Sequence, residues 1–122
     1  MPDKLLIILM NTDLSNPSEL GTPFLQASVA AAMEYDVEML FTGRAGELAM
    51  PGIAEALHFQ QGNDKSVLDL IRDAVEAGVK LKVCTSNLEL WGDEQIPEIA
   101  EVVGAAYIIS EAMDEDTVTF TY

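Results

Sequence analysis

The chain alternates short, solid apolar runs with segments in which apolar residues recur every three or four positions. The continuous apolar run 5–10 predicts a strand that is covered on both faces, and segments 37–41 and 79–83 predict the second and third strands. Two shorter stretches, 99–103 and 118–121, predict further strands. Helical spacing between strands is typical of βαβ units. We therefore predict an α/β fold, a three-layer α/β/α domain with a five-stranded, mostly parallel sheet. Right-handed crossovers make a flavodoxin-like arrangement the default.

Several local signals predict where helices begin and end. Asn16-Pro17-Ser18-Glu19 predicts a helix start with Asn16 as N-cap, and the Ala-rich segment 24–33 is helical in pattern. Ser66 followed by Asp69 resembles a capping box, and Gly78 is a natural terminator for that helix. A short helix is expected at 53–57. Apolar spacing at 105–112 favours a helix, with a strand at 107–109 as the alternative.

The length and the charge of the chain limit the number of domains and the kinds of partner that it can bind. The 122 residues are enough for one domain, which we expect to span 1–122. With 6 basic and 21 acidic residues the formal charge is −15, which argues against nucleic acid or an anionic membrane as partner. The acidity suits solubility or a basic partner protein. The run 5–10 is too short for a membrane span and lacks a signal-peptide cleavage site, so we expect a cytoplasmic protein.

The chain has a single cysteine, Cys84, and a single histidine, His58. One cysteine cannot form an internal disulfide, which fits a reducing compartment. Two soft ligands are too few for a structural zinc site, so we expect no metal. We also expect no cofactor.

The candidate site lies at one rim of the predicted sheet. Ligands of open parallel sheets bind beyond the carboxyl ends of the strands, and Cys84 ends the third strand. It is the one strong nucleophile there. Small polar residues at the same rim form the predicted lining, namely Asn11, Thr42, Gly43, Thr85, Ser86 and Asn87.

Two readings of Cys84 follow from its chemistry alone. N–H groups of a following helix, with hydroxyls of Thr85 and Ser86, would favour the thiolate. Lys82 lies two residues before Cys84 on the same strand face and is expected to add positive charge. The other reading is a buried structural cysteine, because free cysteine is among the most buried residue types.

The stretch from Cys84 to Gly92, CTSNLELWG, resembles the cysteine loop of the DsrE/DsrF-like sulfur-relay family, which includes the TusBCD proteins. The preceding strand, 78–83, is similar to the strand that leads into that loop. Segment 32–43 resembles the family's second strand with its Phe-Thr end, and segment 115–120 resembles its closing strand. These matches follow the family order along nearly the whole chain.

The resemblance implies a sulfurtransferase or sulfur carrier in which Cys84 holds sulfane sulfur as a persulfide. It further implies exchange with a small sulfur-carrier protein, as donor or acceptor, and assembly into a homo-oligomer, a trimer or a hexamer.

Two alternatives stay open. A non-catalytic structural subunit fits the apolar stretch 88–91, where many family members have an arginine. A flavin or small-molecule binder with a flavodoxin-like fold is the second, because segment 11–15 carries hydroxyl donors near a helix start, although it lacks glycine. Trp91 is expected either to cover the cysteine or to form an oligomer contact.

Overall fold

The computed structural model describes residues 3–58 and 65–122. All five predicted strands are present, each within about two residues of its expected bounds. The strands are β1 Lys4–Leu9, β2 Asp36–Phe41, β3 Lys80–Cys84, β4 Ile99–Val103 and β5 Thr117–Thr121. The helices are α1 Gly21–Ala32, α2 Ile53–Ala56, α3 Val67–Ala77, α4 Ser86–Trp91 and α5 Ala105–Ala112, with 3₁₀ segments at Pro17–Leu20 and Gly43–Ala49.

The five strands form one sheet in the order β4-β3-β2-β1-β5, and every pair is parallel. The predicted α/β class with a five-stranded sheet is therefore confirmed. The flavodoxin order is 2-1-3-4-5, so the likeness to flavodoxin lies in class and layers rather than in strand order. Here the chain steps from β1 to β4 in one direction, and β5 then joins the free edge of β1. All five carboxyl ends consequently lie along one rim.

The main core lies on the sheet face covered by α1 and α3. The odd-numbered residues of β1, β2 and β3 point to this face, as period-2 alternation requires, and apart from the partly buried Leu5 they are almost completely buried. Phe24 and Ala27 from α1 and Ile71 and Ala74 from α3 pack against them. Phe24 and Phe41 meet with ring centroids 6.4 Å apart, which fixes α1 over the end of β2.

The opposite face is covered by α5, which resolves segment 105–112 as a helix. No residue of α5 is fully buried, so this helix shields the sheet less completely than α1 does. Its chief anchor is Tyr107, whose hydroxyl reaches Glu38 on β2 and Lys82 on β3.

The predicted helix ends can be compared with those in the structure. The capping box at Ser66 is confirmed, since its hydroxyl accepts a hydrogen bond from the Asp69 N–H and the Asp69 carboxylate accepts one from the Ser66 N–H. Gly78 ends α3 with φ +110°, a conformation that favours glycine. Asn16 is the N-cap of a helical segment with Pro17 first, as predicted, but the segment is 3₁₀ and the Asn16 side chain caps no backbone N–H; its amide donates to the Glu19 carboxylate. Across the described ranges, no helix combines the length and apolar character needed to cross a bilayer.

Candidate functional site

Cys84 is the last residue of β3, between β2 and the edge strand β4. It pairs with Val103, and the N–H of Thr85 continues this ladder by donating to the Val103 carbonyl at 2.8 Å. The residue is 8% exposed, so only a small part of it meets solvent. The rim beside it is open, because Thr85 and Ser86 are both exposed.

The thiol of Cys84 is surrounded by neutral hydrogen-bond donors. Burial by itself raises the pKa of this thiol, because a thiolate is costly to hold away from water. Hydrogen bonds from the Ser86 hydroxyl and backbone N–H, and from the hydroxyls of Thr42 and Thr85, act in the opposite direction. The net result is a pKa below the ordinary value of a cysteine, so the thiolate is more populated near neutral pH.

Thr42 reaches the thiol because of the register between β2 and β3. Phe41 pairs with Val83, so the residues that follow each of them, Thr42 and Cys84, come together at the rim. Three donors therefore come from the two residues directly after the cysteine, and a fourth comes from the residue that follows β2, more than forty positions earlier.

The structure brings some predicted lining residues to the thiol and separates others from it. Thr42, Thr85 and Ser86 contact Cys84. Asn11 follows β1, which lies two strands away from β3. At ordinary strand spacing this separates Asn11 from Cys84 by about 10 Å. Gly43 and Asn87 pack around the backbone of Thr42 and are not among the residues that donate to the thiol. The Asn87 side chain is buried and donates to the Phe41 carbonyl at 3.2 Å.

The prediction that Lys82 adds positive charge near the thiol is wrong. It shares a strand face with Cys84, but its ammonium group is paired with the carboxylates of Glu38 and Glu101 and donates to the Tyr107 hydroxyl at 2.7 Å. A cation that is neutralised by two carboxylates contributes little field elsewhere. Stabilisation of the thiolate therefore comes from neutral donors.

The partners of Lys82 belong to a buried charge cluster that sequence reasoning missed. Glu38 lies in the middle of β2, is 3% exposed, and forms ion pairs with both Lys4 of β1 and Lys82 of β3. The Tyr107 hydroxyl donates to Glu38 at 2.6 Å, and Lys4 also contacts Glu111 at 3.0 Å. Despite burial, which raises it, the pKa of Glu38 is lowered to about 2 by these partners. The available signal was the presence of Lys4, Glu38 and Lys82, all even-numbered, among the apolar residues of β1, β2 and β3.

Trp91 lies one helical turn after Asn87 on α4, and its indole N–H donates to the Gly43 carbonyl at 3.0 Å. This bond places the half-buried ring against the segment after β2.

The flavin alternative finds little support in segment 11–15. The hydroxyl and backbone N–H of Ser15 both donate to the Asp13 carboxylate, so the loop satisfies its own donors and places an anion where a phosphate would bind. Among the described residues, no three His, Cys, Asp or Glu side chains are grouped so that they could hold a metal ion.

Comparison with known proteins identifies the family of the chain. A model of the DsrE/DsrF-like family matches residues 4–120, which is almost the full chain. The chain belongs to the DsrE/DsrF-like family. A search of curated proteins gave no match. Its DsrE-like fold is also found in solved structures.

Two of these structures illustrate the fold similarity. The ychN protein from E. coli superposes with a TM-score of 0.72 at 13% identity, covering 100% of both chains. A conserved protein of unknown function from Bacteroides thetaiotaomicron, BT1422, gives 0.67 at 16% identity, covering 98% of this chain and 95% of its own. At such identities the similarity concerns the fold alone. In this member of the family, Cys84 lies at the rim of the sheet where the parallel strands end.

Proposed function

We propose that this protein carries sulfane sulfur as a persulfide on Cys84 and exchanges it with the thiol of a partner. The observation that supports the proposal most directly is the set of neutral donors around the one cysteine of the chain. Hydroxyls of Thr42, Thr85 and Ser86 and the Ser86 N–H favour the thiolate without any charged group that would have to be displaced. Membership of a family linked to sulfur relay supports the same reading.

The chemistry needs one thiol on this chain and no external oxidant. The Cys84 thiolate attacks the outer sulfur of a donor persulfide R–S–SH, the donor S–S bond breaks, and R–S⁻ leaves, which yields Cys84–S–SH. A partner thiolate then attacks the outer sulfur of Cys84–S–SH. The new S–S bond forms on the partner, and the Cys84 thiolate is released. Each step exchanges one S–S bond for another, so electrons balance.

The donors around the thiol serve both half-reactions. They stabilise the Cys84 thiolate as nucleophile in the first step and as leaving group in the second, and a thiol of lower pKa leaves faster. The low exposure of the cysteine limits the reaction to small donors or to a partner that docks against the open side at Thr85 and Ser86.

The decisive experiment is intact-mass analysis after incubation with a low-molecular-weight persulfide donor. Wild type is expected to gain the mass of one sulfur atom and to lose it on treatment with a reducing thiol. Cys84→Ser replaces the single cysteine and is the matched control. Equal loading of wild type and Cys84→Ser, or no loading of the folded wild type, would contradict the proposal.

The burial of Cys84 favours a second candidate, a non-catalytic structural subunit. Titration with a thiol reagent separates the two functions. A carrier reacts in the folded state, whereas a structural cysteine reacts only after denaturation.

We infer further that copies of the chain associate through α1. This helix has no charged residue, and Leu25 and Val29 form an exposed apolar stripe that continues, at the same spacing of four, to the C-cap residue Met33. Two copies of a chain with charge −15 repel each other, so contact through an uncharged face is the least unfavourable. A trimer or hexamer is the expected product, and a small carrier protein with a basic surface is the expected sulfur-exchange partner.

A further inference from the structure

The short helix α4 donates two side-chain hydrogen bonds to one small piece of backbone. Asn87 donates to the Phe41 carbonyl at 3.2 Å, and Trp91 donates to the Gly43 carbonyl at 3.0 Å. The two side chains are four residues apart and therefore lie on the same face of the helix. The carbonyls that they hold are those on either side of Thr42. We call this pair of contacts the α4 clamp.

Thr42 is also held from its other side. Its N–H donates to the Leu9 carbonyl of β1 at 3.0 Å, so its backbone is tied to the sheet as well as to α4. Gly43 follows with φ +56°, and a Cβ there would lie 3.1 Å from the Met10 carbonyl oxygen. This turn allows the chain to leave β2 sharply while the Thr42 hydroxyl stays against Cys84.

The way Asn87 is accommodated suggests that its position serves more than stability. The residue is 2% exposed, and its Oδ1 has no hydrogen-bond partner, which is unfavourable for a buried amide. Its space exists because residue 46 is glycine, where a Cβ would lie 2.1 Å from the Asn87 Nδ2. An apolar side chain would avoid the unpaired oxygen but could not hold the Phe41 carbonyl.

We propose that Asn87 and Trp91 are positioning residues, which act on Cys84 through Thr42 by fixing the backbone on both sides of it. The clamp thereby sets the distance between the Thr42 hydroxyl and the thiol. The inference deepens the proposed function, on which its biological role rests, but the geometry that it describes can be tested on the thiol alone.

The test is a double-mutant cycle on the pH dependence of Cys84 alkylation by iodoacetamide, a small neutral probe. Thr42→Val removes the hydroxyl while keeping the shape of the side chain. Trp91→Phe removes the indole N–H while keeping an aromatic ring. Each single variant is expected to raise the apparent pKa of the thiol and to slow alkylation at neutral pH. Loss of one hydrogen bond lowers the fraction of Cys84 present as thiolate, but a thiolate of higher pKa is also a better nucleophile. The net slowing of alkylation is expected to be about two- to threefold.

The double variant decides whether Trp91 acts through Thr42. If it does, Trp91→Phe changes nothing further once the hydroxyl is gone, so the double variant matches Thr42→Val. Fully additive effects, or an unchanged pH profile in Trp91→Phe, would overturn the inference. Leu90→Ala, on the exposed side of the same helix, is the matched control and should leave the profile unchanged. Asn87→Ser is a second clamp variant and should shift the profile in the same direction as Trp91→Phe.

This outcome is independent of sulfur loading. A protein that fails to form a persulfide but shows the expected cycle would refute the proposed function and keep the clamp. A protein that loads sulfur but shows additive effects would keep the function and refute the clamp.

Discussion

The buried carboxylate of Glu38 allows a quantitative prediction about stability. In the folded protein its pKa is about 2, against an ordinary value of 4.5, because the opposing effect of burial is outweighed by Lys4, Lys82 and Tyr107. A difference of this size between folded and unfolded states corresponds to about 3 kcal/mol. Glu38→Gln keeps the shape and removes the charge. Lys4 and Lys82 retain Glu111 and Glu101 as partners, so the loss at pH 7 should stay near 3 kcal/mol, the lower end for a broken buried pair.

The stabilisation by Glu38 should decrease as the pH falls. A lowered folded-state pKa contributes stability that is complete above the unfolded value of 4.5 and is lost as the pH falls through the folded value of about 2. The difference in unfolding free energy between wild type and Glu38→Gln should therefore be constant from pH 7 to 6 and fall to about 1.5 kcal/mol at pH 3.

Urea unfolding at fixed protein concentration, followed by the fluorescence of Trp91, measures this difference. Glu76→Gln makes the same chemical change on the exposed side of α3 and controls for the general effect of removing a negative charge. A difference below about 1 kcal/mol at pH 7 would refute the reasoning. So would a difference that does not change down to pH 3, because the stability would then not come from the ionised carboxylate.

Two further predictions concern other parts of the fold. Ser66→Ala removes the N-cap of α3 and should lower the unfolding free energy by about 1 kcal/mol, measured by urea unfolding; no change would show that the capping box contributes nothing. Val29→Glu places a charge in the middle of the apolar stripe of α1 and should shift the molar mass from light scattering toward the monomer while leaving thiol alkylation unchanged. An unaltered mass would refute α1 as the contact.

Much of the fold could be predicted because its signals are local. The continuous apolar run 5–10 marked β1, as expected of a strand covered on both faces, and the mainly apolar segments 37–41 and 79–83 marked β2 and β3 closely. Ser66, Asp69 and Gly78 lie at fixed distances from the ends of α3, so the sequence contains both boundaries. Asn16 and Pro17 marked the start of a helical segment, but these residues do not distinguish an α-helix from the 3₁₀ segment that forms.

The strand order was harder to predict, since it depends on contacts between distant segments. Nothing local determines that β5 joins β1 rather than β4. The candidate site shares this limit. Cys84, Thr85 and Ser86 were predicted together because they are adjacent in sequence. Thr42 was predicted only as a residue of the same rim, and its contact with the thiol follows from the β2–β3 register.

Lys82 shows most clearly what the sequence could not decide. Strand periodicity correctly placed it on the same face as Cys84, and a cation next to a thiol would ordinarily favour the thiolate. The outcome depended on Glu38, 44 residues earlier, which together with Glu101 neutralises the ammonium group, and on Tyr107, 25 residues later, whose hydroxyl accepts a hydrogen bond from it. The fold thus places fixed charges under α5 and neutral donors at the rim. A thiolate held by hydroxyls and an N–H can form the S–S bond of the persulfide and be released again without breaking an ion pair, whereas a lysine partner would lose its attraction to the charge on Sγ in each cycle. Separating the charge cluster from the thiol therefore suits a cysteine that must give up its charge and regain it in every round of exchange.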